Sequence, residues 1–435
     1  MPSDLPNWLQ LPVLMVVGLA IGVFVNWAIY SWAMFLKRPI SPWMIPAAEA
    51  SPRLWTDRIP IFGWLGRRRD SELFGAHFWV RPMLIELACL LGVPFFYLWL
   101  VDGGLTSQAT WVGNWDSICG IWFYAYGVLL VLMCIGTFID FDEKTIPDEV
   151  TVTGTIVALL FAGFVPAFRL PVLGGAGVLP VAEPIHYASP NSFGSLHLGT
   201  PAMLVAMLIF LIWIWALMPK LPVWYVGLGK SVRFMWAHAV RPKRKTSCPL
   251  RTVNRKTPAV TLLLAGLLVV GLAAIAAAWQ LLPEVNLISL YSAFLGMAFG
   301  GGLVWAIRII GTIALQKEAM GFGDVTLHAM IGAFLGWQAA LLVFVMAPFA
   351  ALLVVLIQFI VTRQSEIAFG PYLSAGALIL LVTWKQMWPI VSEAVFRLGP
   401  VLLMILAGAL VLLALMLVTL SFIKGLLYED ELADQ

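Results

Sequence analysis

Nine apolar runs, each about as long as the hydrocarbon core of a bilayer is thick, constrain this chain more than any other feature. They fall at about 11–36, 82–101, 118–140, 150–169, 199–218, 258–282, 288–311, 338–361 and 399–423, with shorter runs at 325–336 and 370–386. A helix satisfies its backbone hydrogen bonds internally, so runs of this length read as membrane-crossing helices. The expected fold is all-α: a polytopic transmembrane helical bundle of about ten or eleven spans. Composition agrees, with 61% hydrophobic and 11% charged residues against about a quarter charged in soluble domains. The opening MPSDLPNWLQ lacks the Lys/Arg region of a signal peptide, so the first run is expected to be retained as a span.

Lys and Arg accumulate in cytoplasmic loops, and this orients the spans. Lys37 to Arg81 carries eight Lys/Arg against four acids, and 219–257 carries ten and no acid. Both are expected inside. Loops 102–117 and 170–198 hold Asp102, Asp116 and Glu183 but no basic residue, as expected outside. Loop 170–198, with Gly174-Gly175 and several prolines, reads as an irregular connection. The basic run RPKRKTSCPLRTVNRK, Arg241 to Lys256, lies between two spans, which favours contact with anionic membrane lipids over nucleic acid. Cys89, Cys119, Cys134 and Cys248 never approach CxxC spacing, so no metal site is expected from them.

Counting spans from these loops puts two acidic motifs on the inner side. GTFIDFDEKTIPDEV, Gly136 to Val150, ends an apolar run in Ile139-Asp140. A charge that directly continues such a run is costly unless it is paired or lines an aqueous cavity. Asp142 and Glu143 read as solvated loop acids, and Asp148 is the fallback for the position given to Asp140. EAMGFGDVT, Glu318 to Thr326, places Asp324 after Gly321-Phe322-Gly323, where glycines without a Cβ permit a turn and a close approach. Two carboxylates brought together do not both ionise easily, so one keeps a proton and the pair can activate a water by general acid–base chemistry. No HExxH, GxSxG or Walker A motif offers a competing chemistry. His328, four residues after Asp324, shares its helical face and reads as a packing residue.

These residues resemble the type IV prepilin peptidase family, leader peptidases of the Gly-x-Gly-Asp class of membrane aspartic proteases. Five blocks carry the resemblance in order: GLAIGVFVNWAIY with Gly22, Phe24 and Asn26; DRIPIFGWLGRRRD and RPMLIELACLLG with Glu86; IDFDEKTIPDEVT; EAMGFGDVTLHAMIGAFLGW; and FGPYLSAGALI. The resemblance implies Asp140 and Asp324 as the catalytic pair, Gly321 and Gly323 as the active-site turn, and Asn26, Glu86, Asp148 and Glu318 as structural or substrate-positioning residues. It implies cleavage of the basic leader of prepilins or pseudopilins at the cytoplasmic face of the bacterial inner membrane, without a cofactor. Family members often also methylate the new N-terminus with S-adenosylmethionine, an activity tied to the first cytoplasmic loop.

The chain departs from the family in places. The two CxxC pairs that many members carry in that loop are absent, which leaves methylation open and a metal-held loop unexpected. Thr326 stands where a basic residue is usual, and His328 where Leu is. Asp140 and Asp324 lie further apart in sequence than usual. The chain thus divides into a first helix (1–36), a loop domain (37–81), helices with the first aspartate (82–169), an inserted external loop, two spans and a basic loop (170–287), a core with the second aspartate (288–386), and an extra span with an acidic tail (387–435). The alternative reading is a transporter or a pilus or secretion assembly scaffold retaining the fold, since intramembrane acids also mark ion paths.

Overall fold

The computed structural model describes residues 6–33, 39–47, 49–174, 181–190, 198–217, 257–315, 320–361 and 369–433. The basic run 241–256, Cys248 and Glu318 lie outside these residues.

All eleven apolar runs are helices: α1 Asn7–Trp32, α2 Val80–Val101, α3 Trp115–Glu143, α4 Asp148–Phe164, α5 Thr200–Leu217, α6 Thr257–Leu281, α7 Glu284–Leu315, α8 Phe322–Leu335, α9 Trp337–Val361, α10 Gly370–Ala394 and α11 Pro400–Ala433. Among the described residues, eight helices are long and apolar enough to cross a membrane. The protein is an all-α, multi-pass membrane protein. Two compact units divide it: Met1–Ser195 with Ile288–Gln435, and Leu196–Leu287, in which α5 packs on α6.

Helix ends differ from expectation where local chemistry intervenes. Helix α3 runs one turn past Asp140 and stops at Lys144, whose left-handed backbone (φ 57°) ends it. Asp142 thereby joins the helix instead of a loop, and it pairs with Arg81 at 2.7 Å. Helix α4 stops at Phe164, five residues short of the expected 169, because Pro166 disfavours helical geometry at the residue before it. Arg169 falls outside the helix and is buried, donating to Ser289 O at 2.6 Å. The connection expected to be irregular forms a hairpin, with β1 Pro171–Gly174 antiparallel to β2 Val181–Pro184.

Lipid offers no hydrophobic drive for helices to associate, so packing relies on small residues and polar contacts. Gly18 and Gly22 of α1 lie against α2, where a Cβ on Gly22 would stand 2.7 Å from Glu86 Cα. Gly296 of α7 and Gly332 of α8 face each other, each carbonyl occupying the space of the other's Cβ. Every residue of α8 from Asp324 to Leu335 is buried. It packs against α3, α4, α9 and α10. A helix enclosed by protein tolerates polar residues that lipid would expel, and α8 carries Asp324, Thr326 and His328.

Between α1 and α2 lies a small domain of short turns, Trp55–Arg58, Phe62–Gly66, Arg67–Asp70 and Ser71–Phe74. Its core is ionic. Asp70 pairs with Arg53 and with the fully buried Arg67, each at 3.3 Å, and Asp57 pairs with Arg69 at 2.5 Å. Arg67 also lies over the rings of Trp64 and Phe78. Burial pushes its pKa down to about 10. Burial also opposes ionisation of Asp70, but hydrogen bonds from Ser51 and Arg67 outweigh it and hold the carboxyl below its usual range.

Candidate active site

Asp140 occupies the last turn of α3, and Asp324 the first turn of α8. The local sequence explains the second placement. Gly321 is the N-cap of α8, a favoured residue there. Asp324, three residues on, folds back so that its Oδ2 lies 3.6 Å from where a Gly321 Cβ would be, with the Gly321 amide in reach. This is half of a capping box, in which a third-position carboxylate reaches the N-cap amide. Gly323 is required for a different reason: a Cβ there would stand 2.9 Å from Ile146 Cβ. Arg308 of α7 steadies the turn from outside, donating from Nε to Met320 O at 2.8 Å.

The two carboxyls meet at the start of α10. A Cβ built on Gly370 would lie 2.7 Å from Asp140 Oδ2 and 3.4 Å from Asp324 Oδ1. The two oxygens therefore share one small space around that backbone. Both residues are buried, Asp140 at 4% and Asp324 at 7% exposure. No cation is paired with either among the described residues; the Gly370 amide lies in reach of both. Ile146, in the link between α3 and α4, plugs the apolar side of the site and touches the glycine positions 136, 323 and 370. Such a pair, dry on one side and without a metal-like cluster of acids, histidines or cysteines among the described residues, suits holding one water and one shared proton.

The other residues singled out in the sequence lie elsewhere. Asp148 is exposed in the first turn of α4, with Glu149 as its neighbouring acid. Asn26 and Glu86 are buried together between α1 and α2, Asn26 Nδ2 donating to Glu86 Oε1 at 3.0 Å and to Pro82 O at 2.9 Å. Glu86 also accepts from Ile61 N at 2.5 Å and Trp64 Nε1 at 2.9 Å, and so fastens the small domain to α2. His328 is fully buried, its ring 6.1 Å from that of Phe344. Sequence reasoning did not single out Gly370 or Ile146. Gly370 opens a Gly-Pro helix start, which reads as ordinary helix initiation, and a lone isoleucine after a turn carries no signal.

Residues 258–356 match the model of the Type IV leader peptidase family, a stretch that includes Asp324 but not Asp140. The chain is 31% identical over 100 residues to the prepilin leader peptidase/N-methyltransferase of Escherichia coli strain K12, covering 22% of this chain and 44% of that one. It is 33% identical over 148 residues to the protein of that name from Pseudomonas aeruginosa, covering 29% and 50%. With its counterpart from Myxococcus xanthus, identity is 29% over 223 residues, covering 48% and 60%. The chain thus spans less than two thirds of the length of these relatives, and no solved structure matches it. The Gly-x-Gly-Asp turn thus lies inside the stretch, residues 258–356, that is similar to the Type IV leader peptidase family.

Proposed function

We propose that this protein is an aspartic endopeptidase of the bacterial inner membrane, cleaving the basic leader of prepilins or pseudopilins at the cytoplasmic face. The observation that carries the reading is that Asp140 and Asp324, 184 positions apart, bring their carboxyls to the same backbone position, Gly370. The ionised member takes a proton from a water held between them as that water attacks the scissile carbonyl. The protonated member donates to the carbonyl oxygen, and the proton then passes to the departing amine. Both acids sit at helix ends, whereas carboxylates of secondary transporters lie near the bilayer midplane. A site at a helix end suits a substrate whose basic leader stays in water while its apolar helix lies in lipid.

The relatives are named as N-methyltransferases as well. S-adenosylmethionine would supply the methyl group. In this chain the loop to which methylation is tied is built around Arg67 and Asp70 instead of cysteines, and no step of the reading passes through that cofactor.

The test is cleavage of a purified prepilin by the full-length protein in lipid vesicles. Asp140→Asn and Asp324→Asn should each lower the rate by about 10²–10⁴-fold, while Asp148→Asn, a change at an exposed residue, should stay within about twofold of wild type. Undiminished cleavage by a folded Asp324→Asn protein would refute the assignment.

A further inference from the structure

The first turn of α10 holds an amide whose purpose can be found by elimination. A helix leaves its first N–H groups without intrahelical acceptors, and each must be satisfied otherwise. Here the amides of Tyr372 and Leu373 donate to Phe369 O at 3.0 and 3.2 Å. Pro371 has no N–H. No side chain caps the helix. Gly370 is left, and its amide is the one in reach of both Asp140 and Asp324.

The carboxylate side shows the matching vacancy in its hydrogen bonding. Asp140 Oδ2 is buried and has no hydrogen-bond partner among the described residues. That atom stands 2.7 Å from the Cβ position of Gly370, and Ile146 Cδ1 stands at the same distance. Real Cβ atoms do not approach neighbours this closely, so any side chain at 370 must displace the acid, the isoleucine or α10 itself. The positive end of a 25-residue helix is thereby held against the two acids.

We propose that Gly370 is a positioning residue of the carboxylate pair: its bare backbone lets the first N–H of α10 reach both carboxyls and hold them where they can share a proton across the attacking water. The proposal rests on the peptidase reading. It differs from a packing role, because packing asks only for room at 370, and an ester in place of the 369–370 peptide bond keeps that room while removing the N–H.

The experiment measures kcat and KM for cleavage of a purified prepilin by the full-length protein in vesicles, with thermal unfolding recorded for each variant. Gly370→Ala should lower kcat about 10²-fold, the size of effect seen when one preorganised donor is lost, with KM little changed. The double variant Gly370→Ala/Ile146→Val should remain about 10²-fold slower than Ile146→Val alone. An ester in place of the Phe369–Gly370 peptide bond, made with glycolic acid at 370, deletes the N–H and adds no bulk; it should lower kcat at least about tenfold. Full activity of the ester variant, or rescue of Gly370→Ala by Ile146→Val, overturns the proposal, and the ester variant decides the matter if Gly370→Ala fails to fold. A wild-type protein that cleaves no prepilin removes the peptidase reading and this inference together. Variants that match an active wild type remove the inference alone.

Discussion

Glu86 accepts hydrogen bonds from the side chains of Asn26 and Trp64 and from the backbone of Ile61, which joins α1, α2 and the small domain at one buried point. Glu86→Ala would strand those donors at roughly 1–3 kcal/mol each. The expected outcome is a lowered melting temperature and faster proteolysis of residues 39–79, with Glu86→Gln milder because it keeps an acceptor oxygen. Unchanged protease sensitivity of Glu86→Ala would show that the domain is held by other means. At this scale the sequence is informative wherever a residue violates its surroundings. Asp140 and Asp324 were legible because an acid beside an apolar run demands a reason. Gly370 and Ile146 were not, because a glycine at a helix start and an isoleucine beside a turn violate nothing.

The small domain between α1 and α2 shows how an element without long helices can be fixed by buried charge. Its acids satisfy several donors at once: Asp70 accepts from Ser51, Arg53 and Arg67, and Asp57 from Leu54 and Arg69. Removing one partner of a buried pair strands the other charge at about 3–5 kcal/mol, so Asp70→Asn should expose 39–79 to protease while chelating agents leave wild type unaffected. The pH dependence follows from the held-down pKa of Asp70. Its ion pairs contribute stability above the ordinary value of 3.8 and lose it as pH falls through the lower folded value. Wild type should therefore become protease-sensitive in this segment only in strong acid, and Asp70→Asn should be sensitive at neutral pH. Helix existence was legible for every apolar run; helix length was not. Lys144 and Val165 end or bound helices through backbone geometry, which hydropathy does not register.

Over the whole molecule, loop charge and span count lead to the expectation that two remote acids share one side, and the structure brings their carboxyls to one backbone position, Gly370. The family match from 258 to 356 takes in α6 as well as α7 to α9, although α6 reads from the sequence as part of an insertion. Helix number and order were thus more legible than the history of the segments. The lengths of α4 and α8 carry a consequence for the surrounding bilayer. Helix α8 has 14 residues and α4 has 17, about 21 and 26 Å at the rise of an α-helix, against about 30 Å of hydrocarbon. The two pack together, and α4 presents Leu160 and Phe164 outward. Acyl chains beside α4 must shorten or disorder to match, at fractions of a kcal/mol per ångström. On the proposed peptidase reading, a substrate helix arriving beside α4 would project further into water at its charged end than it does in bulk lipid. Cleavage in vesicles of graded acyl length should accordingly be fastest in the thinner membranes and slow as the chains lengthen.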